Sequence, residues 1–121
     1  MVSEAFLTGK KELFKKLKKG VLLNDMLEKM ILDLYGLRGK RALETIKKWG
    51  VTKQGDRWFV RGVRGIEYEV FRSYCSCRDY VLNIVTGKVD VDMCYHALAK
   101  TICESLDAYY VKNDQTPIFG Q

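Results

Sequence analysis

Cys75-Ser76-Cys77, then sixteen residues, then Cys94-Tyr95-His96: this pattern limits what the chain can fold into more than any other part of it. Three of the four cysteines and the only histidine fall within it. A structural zinc site asks for four thiolate or imidazole donors at tetrahedral angles, with Zn–S about 2.3 Å and Zn–N about 2.0 Å. Two closely spaced donor pairs separated by a loop supply that set. In an extended Cys-x-Cys, side chains i and i+2 point to the same side, so Cys75 and Cys77 can face one ion while Ser76 turns away. In a helix the same offset would splay Cys94 and His96 by roughly 200°. The pair is therefore expected to straddle a helix start, with Cys94 just before it and His96 in its first turn. A helix N-terminus also favours the thiolate that a metal needs. Three other fates for these residues stand beside the metal: small buried hydrophobes, a disulfide framework, and a catalytic or redox thiol at Cys75 or Cys77. Four cysteines are sparse for a disulfide scaffold, and the N-terminus does not read as a secretory leader.

Cys-x-Cys, a variable gap, then Cys-x-His running into the small and apolar Ala97-Leu98-Ala99 resembles the SWIM-type zinc finger over roughly residues 57 to 103. The resemblance implies that Cys75, Cys77, Cys94 and His96 ligate one structural Zn2+. It also implies a role in binding DNA or protein, since the family occurs in transposase-related, chromatin-associated, ubiquitin-ligase-related and recombination-accessory proteins. Small archaeal-type members look like accessory factors in DNA recombination, repair or transposition. The gap from Arg78 to Met93 is long for the family and is expected to hold a hairpin of its own.

The 121 residues are enough for one domain, and a charged fraction of 30% beside 47% hydrophobic residues describes a globular chain. No apolar run approaches the ~20 residues of a membrane span. Reduced thiols point to the cytoplasm, with nucleoid association if DNA is bound. The 21 Lys and Arg against 15 Asp and Glu leave a net charge of +6, which favours an anionic partner, nucleic acid first and DNA ahead of RNA.

Along the chain, Ser3 offers a helix cap, Thr8-Gly9 a break, and Leu13, Phe14 and Leu17 an apolar stripe among lysines. From about Leu22 to Tyr35, Leu23, Met26, Leu27, Met30, Ile31 and Leu34 recur at helical spacing, and Gly36 sits where a C-cap glycine belongs. Arg38-Gly39-Lys40-Arg41 reads as a basic turn into a helix from about Arg41 to Trp49, whose inward face is Ala42, Leu43, Ile46 and Trp49. The two helices together resemble a helix-turn-helix. From Arg57 the period becomes two: Trp58 and Val60, a turn at Gly62 to Gly65, then Ile66, Tyr68 and Val70 form a hairpin that delivers Cys75 and Cys77. Tyr80 to Val85 and Val89 to Val91, around Thr86-Gly87-Lys88, form the second. Asp79, Asp90 and Asp92 are taken as turn and surface residues. A last helix is expected from about Tyr95 to Lys112, with Cys103 a buried bystander some 10 Å along from His96.

The expected fold is α+β: N-terminal helices (1–56), then two β-hairpins and a C-terminal helix around one structural zinc site (57–112), then a flexible tail or donated strand (113–121). The expected function is a zinc-stabilised module, without catalysis, that binds nucleic acid or serves a recombination, repair or transposition complex. Its candidate phosphate contacts are Lys15, Lys16, Arg38, Lys40, Arg41, Arg61, Arg64 and Arg72. The alternative is a protein-interaction adaptor, docking through the Leu23 to Leu34 stripe or the tail; a homodimer is compatible with either.

Overall fold

A computed structural model describes residues 2–19, 23–62, 64–111 and 117–119. Three helices come first: α1 (Glu4–Lys19), α2 (Asp25–Tyr35) and α3 (Leu37–Lys47). Ser3 caps α1, its Oγ accepting from the Phe6 N–H at 3.1 Å, and Asn24 caps α2, its side-chain oxygen accepting from the Leu27 N–H at 2.9 Å. Gly36, at φ 61°, is the single residue between α2 and α3.

Two of the breaks expected from glycines are absent. Gly9 and Gly39 lie inside helices, each facing a neighbouring helix; at Gly39 the backbone of that helix comes too close for a side chain. A Cβ on Gly39 would stand 2.7 Å from the Ile31 carbonyl oxygen, and one on Gly9 would stand 2.9 Å from Leu34 Cδ1. The basic stretch from Arg38 to Arg41 is therefore helical. Trp49, expected inward, is exposed at φ 59° just past the end of α3.

The chain then forms a meander. Strand β1 (Val51–Gln54) pairs antiparallel with β2 (Arg57–Arg61), and β2 pairs antiparallel with β3 (Glu67–Val70). After Cys94 come α4 (Tyr95–Leu106), β4 (Ala108–Val111) and β5 (Pro117–Phe119). Strand β4 adds parallel to β1, giving the order β3-β2-β1-β4-β5. The last helix is thus shorter than expected, ending at Leu106. Within the expected tail, residues 117–119 form a strand; 113–116 and 120–121 lie outside the described residues.

Helix α4 crosses one face of the sheet and also packs on α1 and α3, so it is the centre of the molecule. Its Ala97, Leu98, Ala99 and Ile102 are fully buried against Val51, Val60 and Val70 from the strands and Leu13, Leu17 and Ile31 from the N-terminal helices. Each larger aliphatic side chain buried this way contributes about 1.5–3 kcal/mol. The α2 stripe is used in this core: Leu27 and Ile31 are buried, Leu23, Met30 and Leu34 are partly buried, and Met26 is exposed.

The second expected hairpin is not there. Residues after Cys77 wind into a helical turn that becomes π-helical over Tyr80–Ile84. The alternation of apolar residues suggested strands, but the inward residues are Tyr80, Asn83 and Ile84, which is helical spacing. Hydrogen bonds from Asn83 Nδ2 to Asp79 at 2.9 Å and from Thr86 Oγ1 to the Leu82 carbonyl at 2.7 Å hold the turn in that form.

Candidate metal centre

Strand β3 ends at Val70, and a tight turn reverses the chain: Phe71 and Tyr74 exchange backbone hydrogen bonds at 3.1 and 2.8 Å, with Arg72 at φ 56° between them. The next three residues are extended enough to alternate, Cys75 and Cys77 buried and Ser76 exposed. Cys77 then begins the helical turn. Its carbonyl accepts from the Val81 N–H at 3.2 Å and its Sγ from the Tyr80 N–H at 3.4 Å. Cys94 does the same for α4, its carbonyl accepting from Leu98 at 2.9 Å and its Sγ from the Ala97 N–H at 3.4 Å. Both thiols therefore sit at helical N-termini and accept an N–H, an environment that stabilises thiolate. The sequence signals this for Cys94 alone, because the turn after Cys77 reads as a strand.

Cys75, Cys77, Cys94 and His96 are brought together and are all buried, with their donor atoms all within 4.8 Å of one another. Tetrahedral Zn–S bonds of about 2.3 Å put sulfurs about 3.8 Å apart, so the donors are spaced as such an ion requires. Cys94 Sγ lies 4.0 Å from His96 Nδ1. The other ring nitrogen, Nε2, faces the β2–β3 loop, where a Cβ on Gly62 would stand 2.7 Å from it and 2.8 Å from the Tyr95 hydroxyl. Only glycine lets the loop close on the ring. Tyr68 and Tyr95 flank the imidazole, with centroids 4.7 and 4.0 Å away.

The thiols share charge unequally. Hydrogen bonds from Cys75 and Cys94 hold the Cys77 thiol far below the ordinary range. Donating to Cys77 pushes Cys75 up to about 11, and donating to Cys75 and Cys77 pushes Cys94 higher still. The hydrogen bonds among the three sulfurs favour charge on Cys77 first, and a divalent ion would favour the thiolate at all three. Cys103 stays out of the cluster, and burial pushes its thiol up to about 12.

The three aspartates near the cluster tie the loop between the ligand pairs to the N-terminal helices. Asp79 receives a two-pronged bond from Arg38 on α3, both contacts at 2.8 Å, and this holds its carboxyl below the usual range. Asp90 accepts from the Ser3 N–H and Oγ, each at 2.6 Å. Asp92 pairs with Lys10 and accepts from the Tyr35 hydroxyl at 3.0 Å; burial, with Asp92 adding, pushes that phenol well above its ordinary value. The sequence offered no sign of these partners, since each lies at least 41 residues away.

The eight candidate cations scatter. Arg38 is committed to Asp79. Lys15 and Lys16 are exposed on α1, Lys40 is exposed on α3, and the Arg72 guanidinium lies 5.4 Å from the Phe71 ring centroid. Arg41 and Arg64, however, meet at a cleft of about 320 Å³ beside the cluster, together with Arg78, which the sequence analysis did not single out. Arg61 lines a neighbouring depression that shares Gly62.

Over 91 residues the chain is 33% identical to an uncharacterized protein of Archaeoglobus fulgidus, covering 70% of this chain and 75% of that one. The chain belongs to that protein's family. No family model matches it, and no solved structure does. Among the described residues, no helix is long and apolar enough to cross a membrane.

Proposed function

We propose that the chain is a zinc-stabilised module of SWIM type, without catalytic activity of its own, that binds nucleic acid. The observation that carries the metal half is the cluster itself: three sulfurs and an imidazole, all buried, spaced as one tetrahedral ion requires. A soft sulfur-rich set of four favours zinc over the hard cations that carboxylates select. Four protein donors leave no open position for water or substrate, so the ion's role is to fix the structure. The nucleic-acid half is supported by the net charge of +6 and by arginines at the cleft that have no carboxylate partner among the described residues.

The test is metal analysis of the purified chain, followed by titration with labelled single-stranded and duplex oligonucleotides before and after chelation. One zinc per chain, with binding that weakens steeply as salt rises, is the expected result. Affinity that is absent, or indifferent to salt, would remove the nucleic-acid half and leave a metal-stabilised adaptor, for which a stoichiometric protein partner should co-purify from the host.

A further inference from the structure

The cleft beside the cluster brings together side chains from five separate parts of the chain: Arg41 from α3, Arg64 from the β2–β3 loop, Arg78 from the turn after Cys77, and Tyr68 and Tyr95 from β3 and the start of α4. All three arginines are exposed, and none is in an ion pair among the described residues. The one carboxylate among the described residues lining the cleft, Asp79, is already neutralised by the two-pronged bond from Arg38. A Zn2+ with three thiolates carries a net charge of −1, which offsets one of the three guanidinium charges. Two are left facing an open space of about 320 Å³.

Arginine forks match phosphate oxygens in geometry as well as charge. The cleft lining is also aromatic: Tyr68 and Tyr95 pack against the His96 ring with the ring planes tilted by 47° and 32°. A basic track beside aromatic rings is the arrangement by which proteins hold single strands, the phosphates on the cations and the bases stacked on the rings. The volume is at the lower end of the range for ligand pockets of about 300–1,000 Å³. It has room for one nucleotide unit, whereas a duplex, with its bases paired inside, could present only its phosphates to the cleft.

We propose that this cleft binds one nucleotide of a single-stranded nucleic acid, with the phosphodiester on Arg41, Arg64 and Arg78 and the base against the aromatic wall of Tyr68 and Tyr95. The proposal rests on the nucleic-acid function given above and assigns it a place and a strand form. It also gives the metal a purpose in binding, because the ion fixes Cys77 and His96, between which Arg78 and Tyr95 are set.

The experiment uses the zinc-loaded full chain and a fluorescent twelve-residue oligothymidylate, read by anisotropy between 0.05 and 0.3 M salt (roughly the range over which counterion release is resolved). Replacing Arg41→Gln, Arg64→Gln and Arg78→Gln together removes three phosphate contacts. At about 0.7 counterions per contact, affinity should fall about 50-fold at 0.15 M salt, and the log–log salt slope should shrink by about 2. A charge-matched variant on α1, Lys11→Gln with Lys18→Gln and Lys19→Gln, should change little. An oligonucleotide with abasic sites should bind about tenfold more weakly than the thymidylate, since it has no base to stack. This last comparison leaves the protein unaltered, so it stands even if the triple variant folds poorly; retained zinc stoichiometry reports on that folding.

If the wild type binds nucleic acid but the α1 variant loses as much affinity as the cleft variant, the cleft assignment is overturned while nucleic-acid binding stands. Equal affinity for abasic and thymidylate strands, or tighter binding to duplex, overturns the stacked single strand. If the wild type binds no nucleic acid of either form, the broader function fails first and this proposal goes with it.

Discussion

Zinc binding to this chain should release two protons. Hydrogen bonds from Cys75 and Cys94 push the Cys77 thiol below its ordinary value, which favours its thiolate ahead of the other two. Cys75 is pushed up to about 11 and Cys94 is pushed up as well, which favours the protonated form of both in the absence of metal. A structural zinc ion needs all three as thiolates. Between about pH 7 and 9 the expected number of protons displaced is therefore two. By linkage, the apparent affinity should rise about 100-fold per pH unit, or about 2.7 kcal/mol at 1.36 kcal/mol for each proton. The sign follows from the raised pKa values: the protonated thiols favour the metal-free form, and that advantage fades as pH rises. Because metal affinity in such a site adds to folding stability, the loaded protein should lose stability as pH falls across the same window. Calorimetry in buffers of different ionisation enthalpy counts the protons directly, and competition against a chromophoric chelator at three pH values gives the slope. A count near three, or a slope near zero, would refute the unequal sharing of charge among the sulfurs.

Three further outcomes follow from the same geometry. Cys94→Ser should abolish stoichiometric zinc, whereas Cys103→Ser should leave it unchanged, as read by native mass spectrometry. Gly62→Ala places a methyl group 2.7 Å from His96 Nε2, so zinc affinity should drop about tenfold or more in chelator competition, with the helical content by circular dichroism retained. Asp79→Asn should cost about 1 kcal/mol in urea unfolding at neutral pH, a figure held down because Arg38 and Asp79 are each about a quarter or more exposed. Since the folded carboxyl is depressed by Arg38, that difference should be present above the ordinary carboxylate range and vanish as pH falls through the folded value.

The gathering of the three cysteines with His96 and the presence of the four longer helices were legible because each rests on short-range spacing. Ser3, the α2 stripe and Gly36 are local signals, and so is the alternation of Cys75 and Cys77 about Ser76. What escaped was decided at long range. The stretch after Cys77 alternates like a strand, yet it winds into a helical turn because Cys77 caps it and Arg38, from another helix, grips its first residues. Gly9 and Gly39 looked like breaks because a lone glycine gives no hint that it is there for a neighbour's approach. Strand β1 did leave a trace: Gly55-Asp56 is a two-residue hairpin loop, with Gly55 at φ 61°. Its significance lay in the pairing of Val51 with Val60 across that loop.

The loop that carries the ligands from one pair to the other is moored at three points, to Ser3, to Lys10 and Tyr35, and to Arg38. Every mooring belongs to the first 40 residues, outside the stretch that a finger motif would mark out. Cutting the chain at the motif's edge would strand three carboxylates and bare the faces of α4 that α1 and α3 cover. The motif in this protein is thus not a transplantable cassette, and a graft of it onto another scaffold would have to carry the N-terminal helices along.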